Sequence, residues 1–271
     1  MEDPNPIKFI SEEDCEEHFL KNYYRNDDGR YVVRLPLKED VLNSLGFPLG
    51  DSQHSALKTL HSMEKKFAKN HDFKEKYVNF MREYKALGHM SLAPKSLVED
   101  NNYYVLPHHG VMQGTKKLRT VFNGSSKVNG ISLNDMLHNG PSLLLDLVDI
   151  IMRWRRYKYV FVADIKKMFR QILVDPRDRH LQTVLWRDEI EKLISLFILN
   201  TLTYGLGPSP FLAIRSLQHL AIDFGHLFPL AITIILKESY CDDVASGTDT
   251  IEEAMSKQIN LIGLCKLWYN L

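Results

Sequence analysis

Residues 159–165, YVFVADI, run almost without a polar side chain into one carboxylate, Asp164. A short apolar run of this kind reads as a strand covered on both faces. An acidic residue is tolerated at its end only where that end is wet or paired. A second run, LAITIILKES, leads into YCDDVASG, which carries Asp242 and Asp243. The β-branched content of the run predicts a strand, then a tight turn, then the start of another strand. Two such strand ends side by side gather three carboxylates. Like charges held close disfavour one another unless a cation neutralises them. Taken alone, the pair Asp242–Asp243 reads first as a solvated turn, because Asp favours turns; only together with Asp164 do the two readings balance.

The remainder of the chain supplies helices and hairpins. Residues 52–86 space apolar side chains at three and four: Leu57, Leu60, Met63 and Phe67, then Tyr77, Phe80, Met81 and Tyr84. That period predicts two amphipathic helices with a break near Asn70-His71-Asp72. SEEDCEEHFL predicts a helix opening at Ser11, and DDGRYVVRLPLK a turn followed by a strand over 31–35. YYVLPHHGVMQGTKKLRTVFNGSS reads as two strands around a polar QGTKK loop. PSLLLDLVDIIMRWRR reads as an apolar helix with a basic end. EKLISLFILNTLTYGLGPSPFLAIRSLQHLAI reads as strand, Gly/Pro loop and helix. DTIEEAMSKQINLIGLCKL reads as a closing helix capped by Thr248 or Asp249. Helices alternating with hairpin strands predict an α+β fold, helices on one face of an antiparallel sheet. A mainly helical segment, 1–100, precedes a second region, 101–271.

Charge is informative only locally. Lys+Arg and Asp+Glu both number 34, so the whole chain has no sign to attract a polyanion. Between positions 153 and 170, however, Arg153, Arg155, Arg156, Lys158, Lys166, Lys167 and Arg170 face one acid, Asp164. Such a cluster suits phosphate contact; cations at a helix C-terminus explain its first half equally well. Three cysteines without a CxxC pair argue against zinc or a disulfide framework and predict a reducing, intracellular and cytoplasmic setting. The acidic N-terminus lacks the apolar core of a signal peptide, and no apolar stretch is long enough to span a bilayer, so no membrane role is expected.

Four blocks in order, VADIKKMF, LTYGLGPSPF and YCDD behind KLRTVFNGSS, resemble the palm and fingers of a reverse transcriptase. More narrowly, YYVLPHHGVM, SLNDMLHNGP and VADIKKMFRQI resemble the polymerase region of BEL/Pao-type long-terminal-repeat retrotransposon polyproteins. GRYVVRLPLK and YVNFMREYKALGHM resemble the segment before it. The resemblance implies an RNA-directed DNA polymerase that joins dNTPs to a primer on an RNA or DNA template. It implies Mg²⁺, or Mn²⁺, held by Asp164, Asp242 and Asp243. It implies that Arg119 contacts the incoming triphosphate, that Phe169 lies under its sugar, and that Tyr204 and Gly205 lie beside the nascent base pair. Tyr240 and Cys241, with Lys166 and Lys167, would lie along primer and template. It further implies fingers and palm over 101–271, ending before the thumb. The other parts of a polyprotein (thumb, ribonuclease H, protease) are the implied partners, and the family assembles in virus-like particles. Two departures stand out: Gln113 where the family has Lys, and a shortened CKLWYNL where it continues toward the thumb. The alternative expectation is an inactive remnant that at most binds nucleic acid.

Overall fold

The computed structural model describes residues 12–38, 52–113 and 117–268. Ser11, the tip of the QGTKK loop with Lys116, the side chains of Gln113 and Lys117, and the end of CKLWYNL lie outside the described residues. In chain order the elements begin with α1 (Glu12–Asn22), β1 (Tyr24–Arg25), β2 (Tyr31–Val33), α2 (Ser52–Lys69), α3 (His71–Ala86), β3 (Met90–Leu92) and α4 (Lys95–Asp100). Then come β4 (His108–Gln113), β5 (Lys117–Phe122), α5 (Leu147–Trp154), β6 (Tyr159–Asp164), α6 (Met168–Gln171), β7 (Leu173–Val174), β8 (Thr183–Trp186) and β9 (Ser195–Leu199). The chain closes with α7 (Ser209–Phe224), α8 (Pro229–Lys237), β10 (Ser239–Tyr240), β11 (Asp243–Thr248) and α9 (Ile251–Lys266).

The fold is α+β, with small sheets. β10, β11 and β6 form one antiparallel sheet, and β3, β9 and β8 another. β4 and β5 make a separate hairpin. The third sheet, β1-β2-β7, contains a parallel pair, β2 with β7, where only antiparallel pairing was expected. No helix among the described residues is long and apolar enough to cross a membrane.

The helix break at Asn70 is as the period predicts. Its side chain accepts from the Phe73 amide at 3.0 Å and so caps α3. Phe67 and Tyr77, one from each helix, meet Trp186 and His108 in a single aromatic cluster. The closing helix is capped by Thr250, not Thr248 or Asp249; the Thr250 side chain accepts from Glu253 N. Helix α5 starts at Leu147, capped by Asp146, so the SLLL part of its predicted span lies outside it.

LAITIILK is a helix, against the predicted strand. Pro229 opens it, where a missing N–H costs nothing. Ala231, Ile234 and Ile235 are buried, which is helical spacing, and α8 packs between α7 and α9. Strand propensity is a weak preference, and packing on two helices overrides it. β6 departs from expectation in the other direction. It is a strand, but not one covered on both faces: Val160, Val162 and Asp164 are exposed, whereas Tyr159, Phe161 and Ala163 are half-buried. α9 covers one face of the β6–β11 pair. Asp164 and Asp243 lie on the exposed face.

Candidate functional site

The last residue of β6, Asp164, lies directly opposite Asp243, the first residue of β11. Opposed residues of an antiparallel pair put their side chains on the same face, with Cβ atoms about 5 Å apart. Both carboxylates are exposed and share that face with Val160, Val162 and Ala245. The Tyr240–Asp243 turn that carries the third carboxylate is tight. Cys241 adopts φ 57°, a left-handed conformation unusual for a residue with a Cβ. The Ile165 amide donates to the Asp242 carbonyl at 2.7 Å, extending the ladder into the turn. The turn is thereby fastened to the residue that follows Asp164.

Asp242 does not face Asp164 in the register; it sits at the turn beside Cys241 and Tyr204. The Cys241 thiol is pushed up to about 11, first by burial and then by the Asp242 charge. The Tyr204 hydroxyl is pushed up to about 12, again by burial first and Asp242 second, with Arg170 and Arg119 opposing. Asp242, Cys241, Tyr204 and Arg119 therefore share one electrostatic neighbourhood, although they come from three distant stretches of chain. Phe169 joins them. It is 5% exposed in the one-turn helix after Asp164, and its ring centroid is 4.3 Å from that of Tyr204.

Gly205 adopts φ 106°, and a Cβ there would lie 2.0 Å from the Phe122 carbonyl oxygen. Only glycine permits this approach of the 203–207 loop to the end of β5, the strand bearing Arg119. Asn134 fixes the contact: its amide donates to the Gly205 carbonyl at 3.0 Å and its oxygen accepts from Gly207 N at 2.9 Å. Sequence reasoning did not single out Asn134. Its only signal was its place in the SLNDM block, because a loop-bridging amide has no periodic signature.

The basic cluster divides. Lys167, at φ 56°, is ion-paired with Glu83 of α3, which holds that carboxyl below the usual carboxylate range. The Arg170 guanidinium stacks over Phe80 and Tyr84, at 5.0 and 4.9 Å from the ring centroids. Arg153 donates to the Lys237 carbonyl at the end of α8. These three cations are engaged in holding helices, which reduces the phosphate track expected from sequence. Tyr240 is half-buried opposite Asp243.

Among the described residues no group of three or more His, Cys, Asp or Glu side chains converges closely enough to hold a metal ion. The opposed pair Asp164–Asp243 offers oxygen ligands only. That suits Mg²⁺, which takes one or two protein carboxylates and completes its shell with water and phosphate. No family model matches this chain, and no curated protein matches it.

Proposed function

We propose that the chain is a reverse-transcriptase-type nucleotidyl transferase, the fingers and palm of an RNA-directed DNA polymerase of the BEL/Pao retrotransposon kind. One observation carries the reading. Asp164 stands opposite Asp243, beside the Asp242 turn, and Arg119, Phe169, Tyr204 and Gly205 converge on the same place from separate strands and loops.

Each residue has a physical role in that chemistry. In the reaction a primer 3′-hydroxyl attacks the α-phosphorus of a dNTP, a new P–O bond forms, and the bond to pyrophosphate breaks. The opposed pair Asp164 and Asp243 would hold Mg²⁺ or Mn²⁺, with Asp242 at the adjoining turn as a nearby negative charge, and the ion would supply Lewis-acid stabilisation of the attacking and leaving oxygens. The Arg119 guanidinium, always charged and forked, suits the triphosphate. The Phe169–Tyr204 ring pair forms an apolar wall against the sugar, and a ring at Phe169 leaves no space for a 2′-hydroxyl. The positive φ at Gly205 lets the backbone approach the nascent base pair without a side chain in between.

The test is primer extension on a homopolymer template–primer with Mg²⁺ or Mn²⁺. Extension by the wild-type chain, lost in Asp242→Asn, is expected. Equal, background-level signal from both proteins overturns the enzymatic reading. If that result comes with salt-dependent binding of template–primer, the chain is a nucleic-acid-binding remnant instead. Engagement of Lys167 and Arg170 in intramolecular contacts is the observation that favours this second outcome.

A further inference from the structure

A cleft of about 550 Å³ opens beside the Asp164 strand, walled by the end of α3, the Lys166–Lys167 turn and the last turn of α9. Its charged lining is Arg30, Lys166, Lys167 and Lys266 against one carboxylate, Asp164. Leu87, Leu261 and Ile262 add an apolar wall. The volume falls in the range of small-molecule sites, roughly 300–1,000 Å³. Arg119, Phe169 and Tyr204 are not part of it.

Two observations point to a ligand. His89 lines the cleft, is 5% exposed, and has both ring nitrogens buried without a hydrogen-bond partner. A buried imidazole in that condition forfeits about 1–3 kcal/mol for each unsatisfied group. The second is Arg30. Its guanidinium donates to the carbonyls of Gln171 and Arg170, at 3.0 and 2.7 Å, and makes no ion pair among the described residues. Two carbonyls orient the group, and its charge is met by the more distant Asp28 carboxylate and, among the described residues, by no direct ion pair. Lys167 is offset by Glu83, and Arg30 with Lys266 still outweighs the single carboxylate Asp164.

We infer that this cleft binds a small phosphate monoester with an apolar body, its phosphate on the Arg30, Lys166 and Lys266 side and its body against Leu261 and Ile262, with His89 as a neutral hydrogen-bonding partner. The cleft shares Asp164 with the metal position proposed above but none of Arg119, Phe169 or Tyr204, and ligand binding there does not rest on that reading. Burial, and then the nearby charges of Arg170, Arg30 and Lys167, lower the His89 imidazole to about 4, with Glu83 opposing. A bound anion opposes the field of those cations and draws the imidazole upward.

The experiment titrates phenyl phosphate into the ¹³C,¹⁵N-histidine-labelled full chain and follows the His89 ring resonances. Inorganic phosphate is the arm without an apolar body. Saturable shifts of His89 are expected, with phenyl phosphate at least about fivefold tighter than phosphate. Lys266→Gln is expected to weaken binding about tenfold, the loss of one charge-assisted hydrogen bond. Lys266 lies at the exposed end of α9, so this variant keeps the fold. Arg119→Gln and Asp242→Asn are expected to leave binding unchanged. Unmoved His89 resonances overturn the proposal. So does equal affinity for the two probes, or a loss of binding in Arg119→Gln that matches the loss in Lys266→Gln.

Discussion

Replacing Lys257 by methionine is expected to destabilise the fold by about 3–5 kcal/mol, the cost of leaving a buried charge without its partner. The ammonium lies 3.1 and 3.2 Å from the two Glu238 oxygens, 3.1 Å from the Gly247 carbonyl and 3.3 Å from Ser246 Oγ. It also sits over the Tyr157 ring at 5.3 Å. The Lys257 and Glu238 side chains are 13% and 5% exposed, so water does not replace what the mutation removes. Glu238 directly follows α8 and Ser246 belongs to β11. The pair therefore ties α9 to both arms of the Tyr240–Asp243 turn. Urea unfolding gives the measurement: a lower midpoint at unchanged slope, and a melting temperature lower by on the order of 10 °C. Lys257→Met combined with Glu238→Gln is expected to recover a large part of the loss, because the double variant buries no charge. Lys21→Met, which removes an exposed α1 pair with Glu17, is the control and is expected to cost under about 0.5 kcal/mol. A Lys257→Met cost below about 1 kcal/mol, or a double variant no more stable than the single, would refute this reasoning.

Asp164→Asn is expected to abolish primer extension yet raise stability by about 0.5 kcal/mol, because it removes one of two like charges set opposite each other; a lower urea midpoint contradicts the proposed opposition. Gly205→Ala is expected to cost more than about 2 kcal/mol, since alanine at φ 106° must also displace the Phe122 carbonyl; a neutral result in the same assay rejects that contact. Acid should weaken the fold through His89 and His108. Burial lowers both to about 4 in the folded state, from an unfolded value near 6.5. Their contribution is present in full above about pH 6.5 and is lost as pH falls toward 4, because only the unfolded chain takes up protons in that window. The slope reaches up to about 1.4 kcal/mol per pH unit for each histidine, and His108→Gln should flatten it. Urea midpoints that do not change between pH 6.5 and 4.5 would exclude the effect.

The helices of residues 52–86 were legible because an apolar period of three and four is a local signal, and a capping Asn marks the break between them. The α8 segment was not. PLAITIILK has the composition of a strand, and only its position between α7 and α9 made helix the better burial. The carboxylates were legible as residues but not as a geometry. The family resemblance implied Asp164, Asp242 and Asp243 as one ligand set; the register sets Asp243 opposite Asp164 and leaves Asp242 at the turn beside Tyr204 and Cys241. The cation cluster was visible as a count. That Lys167 pairs with Glu83 and Arg170 stacks on Phe80 and Tyr84 depends on partners about ninety residues away.

By itself, the sequence determined the helix-and-hairpin character of the chain, the strand that ends at Asp164, and the hairpin carrying Arg119. These follow from side-chain period, turn chemistry and backbone sterics, all of which act within a few residues. The tertiary structure alone decided which carboxylate meets which, which face of β6 stays open, which cations remain near the site, and that His89 is buried beside a cationic cleft without a hydrogen-bond partner. Those outcomes depend on strand register and helix docking, and register and docking are set by burial summed over the whole core.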